Sequence, residues 1–280
     1  MTVQEKNYWI TTAEMPRIET RPLPEKVDVA ILGAGFTGLS AARTLAKLGA
    51  RVAVLEAETV GWGASSRNGG MVLTGLKLGA GDLISRYGKE TTRRMFWASL
   101  EAISTVEQIV ADEKIDCDFC RCGHLEVANK PSHFDAFKRS AETMERELNH
   151  SVQVVPREDL FSEIGSKVYF GGLVDEISAG ANPARYVAGL ARAAVRAGAE
   201  VHERSRVEKI ELAPHNGAPG WKMSTARGVS WARDVLVATS GYTGDSTPSL
   251  RRKLIPVGST SSSRKFWLRK LPLKSVRAIA

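Results

Sequence analysis

Three glycines and one acid are the residues of this sequence best placed to do chemistry. The apolar run Val27–Leu32 breaks into Gly33-Ala34-Gly35-Phe36-Thr37-Gly38, a helical stretch follows, and a second apolar run, Val52–Leu55, ends on Glu56 and Ala57. Strand, glycine turn, helix and parallel strand in that order form the unit that binds a dinucleotide. Gly33 permits the tight turn, Gly35 lets the backbone approach a pyrophosphate, and Gly38 lets the helix pack closely on the sheet. The helix N-terminus, at Phe36 and Thr37, then offers unpaired N–H groups and a positive dipole end to the phosphates. Glu56, 23 residues after Gly33, is spaced to accept from both ribose hydroxyls. The same carboxylate would repel a 2′-phosphate, which argues against NADP. A structural turn without ligand is the other reading, but every part of the fingerprint stands in its required order.

The residues after Glu56 separate two cofactor classes. A nicotinamide-binding domain would enter another crossover helix here. Instead the chain reads Ala57-Glu58-Thr59-Val60-Gly61-Trp62-Gly63-Ala64-Ser65-Ser66-Arg67-Asn68-Gly69-Gly70, with four glycines in the last ten positions and no helical period. Close backbone N–H groups, two hydroxyls, an amide and a guanidinium suit a large ligand with an anionic middle, which points to FAD. A flexible surface loop is the alternative on composition alone.

The segment from Val27 to Val72 resembles the D-amino-acid-oxidase-type FAD-dependent oxidoreductases, and within them the gamma-glutamylputrescine oxidase-like branch. Asn182-Pro183-Ala184-Arg185, Ser205-Arg206-Val207 and Val235-Leu236-Val237-Ala238-Thr239-Ser240-Gly241-Tyr242 agree with it. The resemblance covers roughly residues 8–258. It implies that Gly63, Ala64, Ser65, Arg67, Asn68, Gly69 and Gly70 wrap the cofactor and that the backbone of Val207 contacts the adenine side. It further implies that Thr239 to Gly241 form the return strand and turn under the cofactor. The implied reaction takes a primary or secondary amine or amino acid to an imine, with dioxygen yielding hydrogen peroxide. Arg67 and Asn68 are the best candidates beside the flavin ring, the other reading being that they anchor the loop to backbone carbonyls. No histidine or cysteine lies between Gly33 and Gly70, so the FAD is expected to be held non-covalently. His124, His133, His150, His202 and His215 are scattered singly, and no general base is assigned. The catalytic residues stay unknown at this point.

The fold class this implies is α/β: a Rossmann-like FAD-binding domain, discontinuous, with an incomplete mixed α+β substrate domain. Residues 1–75 and 179–258 would form the two parts of the FAD domain, and 76–178 a helical linker region and the first part of the substrate domain. Helices are expected over Thr37–Leu48, Thr91–Lys114, Ser132–Leu148 and from Pro183 to Ala197, and strands over 115–128, at Val201, over Val207–Leu212 and, buried, over Asp234–Thr239.

Composition bounds the remaining classes. The 280 residues are 43% hydrophobic and 25% charged, as in globular domains, and no apolar run approaches the ~20 residues that cross a bilayer. The first 25 residues lack a basic-then-apolar leader, so a cytoplasmic location is expected, with neither membrane nor nucleic acid as partner. The net charge of +8 is local: residues 251–280 hold nine cations and no acid, leaving −1 for residues 1–250. After Ser259 the family pattern gives way to this basic tail, 259–280, which reads as a frame change or early terminus. A membrane- or nucleic-acid-binding tail is the alternative. A non-catalytic fragment that at most binds the adenine half of FAD is the second functional reading of the chain. Cys117, Cys120 and Cys122 with His124 invite a zinc reading. The alternating apolar residues around them favour ordinary half-buried thiols, so no metal is expected. The sequence does not fix the oligomeric state.

Overall fold

The structure is a computed structural model describing residues 6–258 and a two-residue strand at Ala278–Ile279. In chain order it begins with β1 (Lys26–Leu32), α1 (Phe36–Lys47), β2 (Val52–Leu55), β3 (Met71–Val72), α2 (Ala80–Tyr87) and α3 (Lys89–Asp112). Next come β4 (His124–Val127), α4 (Pro131–Leu148), β5 (Gln153–Pro156), α5 (Leu160–Ile164), β6 (Gly171–Asp175) and β7 (Ala179–Gly180). The chain continues through α6 (Pro183–Arg196), β8 (Glu200–His202), β9 (Val207–Leu212), β10 (Trp221–Thr225), β11 (Gly228–Val237), α7 (Pro248–Arg251) and β12 (Ala278–Ile279).

Two units divide these elements. The first holds the chain up to Gly69, the segment Ile115–Cys117 and the chain from Pro183 through β11; the second holds Gly70–Lys114 and Asp118–Asn182. In the first, six strands run in the order β8-β2-β1-β11-β10-β9. The pairs β8/β2, β2/β1 and β1/β11 are parallel, and β11/β10 and β10/β9 antiparallel. All four residues of β2 are buried, as a continuous apolar run in a parallel sheet requires. Val27, Ala30, Leu32, Ala53, Leu55, Met223 and Ala232 close one core. Helix α6, ten of whose fourteen residues are buried, packs against α1. A side chain at Gly189 would strike Ile115 at 2.3 Å, which explains the glycine inside α6.

The second unit carries the four-stranded sheet β12-β4-β6-β5 and the pair β3/β7. Leu125, Val155, Leu160 and Val174 form its core. On α4 the apolar residues Phe134, Phe137, Ala141 and Met144 share one half-buried face, while α3 buries Thr92, Phe96, Ile103 and Ile109. No helix among the described residues is long and apolar enough to cross a membrane.

Two expectations need correction. Residues 115–128 do not form one strand: only His124–Val127 does, because Asp118 (φ 52) and Gly123 (φ 71) turn the backbone out of the extended region. The stretch Asp234–Thr239 is not buried. It pairs with β1 on one edge only, because the β10 partner ends opposite Ala232, so Val235–Val237 are half covered and Asp234 is exposed. The basic tail lies outside the described residues, apart from β12.

Candidate functional site: a glycine cradle closed by an acid

Each glycine of the fingerprint is fixed by a different contact. Gly33 leaves β1 at φ +106, donating its N–H to Leu55 O at 3.0 Å, and a Cβ there would come within 2.7 Å of Ala238 O. At Gly38 a Cβ would lie 2.0 Å from Gly33 O, so α1 sits on the turn as only glycine allows. At Gly35 a Cβ would meet Ser65 Oγ at 2.7 Å. That hydroxyl accepts the Phe36 N–H at 3.0 Å, and so stands at the first turn of α1, where helix N–H groups lack partners inside the helix. Thr37 is exposed beside it, and the Phe36 ring tilts against Tyr186 at 5.2 Å.

Glu56 follows β2, with its N–H on His202 O at 2.9 Å and its carbonyl accepting Ser205 N–H at 2.7 Å. Its carboxylate is aimed by two backbone donors: Ala34 N–H reaches Oε2 at 2.7 Å and Glu58 N–H reaches Oε1 at 2.8 Å. A carboxylate accepts about four hydrogen bonds, so capacity remains for a diol. Ala57 is half-buried between the two acids. Glu58 pairs with Arg204 and, at 3.1 Å, with Arg206, while Glu203 Oε1 accepts Val60 N–H at 2.7 Å. The segment 203–206 is thereby tied to 56–60 just before Val207 opens β9, half-buried opposite a bulge at Ser224/Thr225.

The loop that follows shapes itself. A 3₁₀ turn spans Ala64–Ser66, and buried Ser66 accepts from Asn7 Nδ2 at 2.8 Å. Arg67 donates from Nε to Trp62 O at 2.8 Å, with its guanidinium 4.6 Å from the Trp62 ring centroid. Asn68 Nδ2 reaches Ala64 O at 3.0 Å and Ser65 O at 3.2 Å. Both side chains thus bind loop carbonyls, the anchoring alternative weighed from sequence. Gly63 faces Tyr242, whose ring stands edge-on to Trp62 at 5.6 Å. Thr239 Oγ1 and Thr243 Oγ1 bond at 2.7 Å across the turn that holds Gly241. Gly69 is exposed, and Gly70, in the second unit, accepts Ala181 N–H at 2.8 Å.

Several of these partners carried no sequence signal. Asn7, Glu203 and the Arg204/Arg206 pair meet the cradle from distant positions, and no spacing rule reaches them. The paired charge signs of Glu58 and the two arginines were visible, their proximity was not.

Among the described residues no three His, Cys, Asp or Glu side chains gather as a metal site would. Buried Cys117 belongs to the first unit; exposed Cys120 and half-buried Cys122 belong to the second. Burial pushes the pKa of His124 and His202 down, and His124 Nε2 and His202 Nδ1 are unpartnered among the described residues. His133 is exposed, and His215 tilts against Trp231. His150 Nε2 lies 2.8 Å from Asp175 Oδ2, and both residues are buried. Thr74 Oγ1 also donates to that oxygen, and Ile177 N–H reaches Oδ1 at 2.9 Å. Burial alone would raise the Asp175 pKa, but the bonds from His150, Thr74 and Ile177 outweigh it and hold the carboxyl below its usual range.

A cradle too tight for any side chain, a helix N-terminus and an aimed carboxylate fit the pyrophosphate and ribose of a dinucleotide. Comparison with known proteins names the class. Residues 28–268 match the family described as FAD dependent oxidoreductase (DAO), ten residues past the end of the motif resemblance. A probable oxidoreductase OrdL of Haemophilus influenzae is 33% identical over 241 residues, covering 84% of this chain and 54% of that protein. The gamma-glutamylputrescine oxidoreductase of Escherichia coli is 32% identical over 261 residues, covering 92% and 60%. The chain thus spans little more than half the length of these relatives. Glycine oxidase from Geobacillus kaustophilus shares the fold at a TM-score of 0.66 and 23% identity, over 81% of this chain and 59% of that one. The glycine cradle and the family match over most of its length agree: the chain belongs to the DAO family of FAD-dependent oxidoreductases.

Proposed function

We propose that this chain binds FAD non-covalently and serves an oxidoreductase that takes an amine or amino acid to the imine with dioxygen as acceptor. The observation that carries the reading is the Glu56 carboxylate, held by Ala34 and Glu58 N–H beside a cradle that only glycine fits. A relative named for gamma-glutamylputrescine and a shared fold with glycine oxidase support the substrate class. When bound, the flavin supplies the electron chemistry, accepting a hydride from the substrate carbon and passing two electrons to dioxygen.

The chain's own residues bind and orient. Glu56 accepts from the adenosine ribose, and the α1 N-terminus at Phe36 and Thr37 faces the pyrophosphate with its dipole. Ser65 places a hydroxyl beside those N–H groups, and the Val207 backbone lies against the adenine. Gly33, Gly35 and Gly38 let the turn and α1 close up beneath the pyrophosphate, and Gly63 and Ala64 carry the following loop past it with no side chain larger than a methyl group. Arg67 and Asn68 hold the loop so that Gly69 and Gly70 pass close to the cofactor, and Thr239 and Gly241 lie beneath it. Non-covalent binding is supported by the absence of any histidine or cysteine between Gly33 and Gly70.

Titration of the purified chain with FAD, read by flavin fluorescence, tests the binding. Saturable binding of FAD with none of NAD, and complete release of the flavin on acid precipitation, is the expected result. Recovery of NAD with no flavin would overturn it. Peroxide formation on adding short diamines and amino acids tests the turnover separately.

A further inference from the structure

Cys120 and Cys122 are brought together by the backbone of the second unit. Cys120 and Gly180 exchange both of their backbone hydrogen bonds at 2.9 Å, an antiparallel bridge that sets their Cα atoms about 5.5 Å apart with side chains on one side. Gly180 has no side chain, and the space is used: Cys122 Sγ lies 3.5 Å from where a Gly180 Cβ would stand. Cys122 therefore leans over the residue directly opposite Cys120, which puts the two thiols side by side. Arg121, between them, goes the other way. Its guanidinium pairs with Glu107 at 2.6 Å and donates to Ile177 O at 2.8 Å, which pins the segment and leaves both cysteines on the opposite face. Cys120 is exposed, so a small oxidant reaches it.

We propose that Cys120 and Cys122 form a reversible dithiol/disulfide pair whose oxidant is a peroxide. The Cys120 thiolate attacks one peroxide oxygen and the O–O bond breaks, giving a sulfenic acid and, with the proton returned, one water. The Cys122 sulfur then displaces the sulfenic oxygen, which leaves as the second water, and the S–S bond forms. Two electrons leave the two sulfurs and reduce one hydrogen peroxide to two waters. A bridge between residues this close in sequence is strained and exposed, the character of labile disulfides that thiols reduce again. The pair stands independently of the proposed turnover, since any source of peroxide suffices.

The test uses the full chain, reduced and freed of reductant, then treated with hydrogen peroxide in mildly alkaline buffer, because burial and the neighbouring Cys122 push the Cys120 thiol up. Alkylation and intact mass follow. The expected product has lost two hydrogens, leaves only Cys117 open to alkylation under denaturing conditions, and regains all three thiols with dithiothreitol. Trypsin cuts after Lys114 and Arg121, so peptide 115–121, which holds both Cys117 and Cys120, is expected joined to the Cys122 peptide, and fragmentation that places the alkyl group on Cys117 identifies the bond as Cys120–Cys122. Either of the variants Cys120→Ser and Cys122→Ser is expected to abolish the two-hydrogen loss and to gain oxygen on the remaining thiol. Full alkylation of the unmodified chain after peroxide that oxidises free glutathione would overturn the proposal. So would a bridge involving Cys117, or oxygen addition without a bridge.

Discussion

Ser65 Oγ accepts the Phe36 N–H at 3.0 Å, so a hydroxyl from one loop stands on the helix terminus that another loop presents. The oxygen is 2.7 Å from where a Gly35 Cβ would be, so the turn and the hydroxyl fix each other. A phosphate oxygen arriving at this helix end would meet the Ser65 O–H as a donor. Ser65→Ala is expected to weaken FAD binding by about ten- to a hundredfold, the worth of one hydrogen bond to a charged group at about 1.5–3 kcal/mol. Flavin fluorescence titration reads it, and an unchanged affinity would remove Ser65 from the phosphate site.

The two acids after β2 are expected to separate cleanly. Glu56→Gln keeps the shape and removes the charge, and FAD affinity should fall about tenfold or more. Glu58 is not the idle residue that its place beyond the strand end implies, since it pairs with Arg204 and Arg206. Both arginines are exposed, so Glu58→Gln should cost about 1 kcal/mol or less of stability and change FAD affinity less than twofold. Urea unfolding and flavin titration of both variants decide it. A larger loss of affinity at Glu58 would mean that the ribose acid has been misassigned.

The glycines proposed to line the cofactor site are not equivalent. Gly38→Ala puts a methyl 2.0 Å from Gly33 O, against backbone that cannot yield without moving α1 off β1. A loss of about 3 kcal/mol or failure to fold is expected. Gly241→Ala meets nothing within 4 Å and should fold normally, so any loss of flavin affinity there reports contact with the cofactor itself. Thermal melts with and without FAD distinguish the two.

Asp175 links acidity to the stability of the second unit. Its folded-state pKa is held below the usual carboxylate value, so its stabilisation is complete above the unfolded value near 4. It is lost as the pH falls through the lower folded-state value. Asp175→Asn should cost about 2–3 kcal/mol at pH 7 through the weakened His150 and Thr74 bonds, and should flatten this acid limb. Urea midpoints at pH 7 and near pH 3 check both signs. A variant with the unaltered acid limb would assign that limb to other carboxylates.

The nucleotide-binding core was legible because its signals are local. The glycine turn, α1 and Glu56 lie within one short βαβ unit, where spacing alone dictates geometry. Contacts between distant residues left no such trace. Asn7 meets Ser66, Glu58 meets Arg204, and Thr74 meets Asp175 across 59, 146 and 101 positions. Alternating apolar residues suggested one long strand over 115–128, yet single residues in the left-handed region, Asp118 and Gly123, interrupted it. The loop residues Arg67 and Asn68 show a further limit: composition marks them as polar donors, but it does not say which partner each takes, and both take loop carbonyls.

The position of β1 in its sheet has a consequence for biosynthesis. On one side β1 pairs with β2, made moments later; on the other Ala30 pairs with Val235, 205 residues further on. During translation the first βαβ unit therefore emerges with the open edge of its innermost strand unpaired, and it waits for most of the chain before β11 can dock. Such distant pairings fold slowly, and an unpaired apolar edge is a template for association with other chains. This nascent chain should be a client of ribosome-associated chaperones until residue 237 has left the exit tunnel.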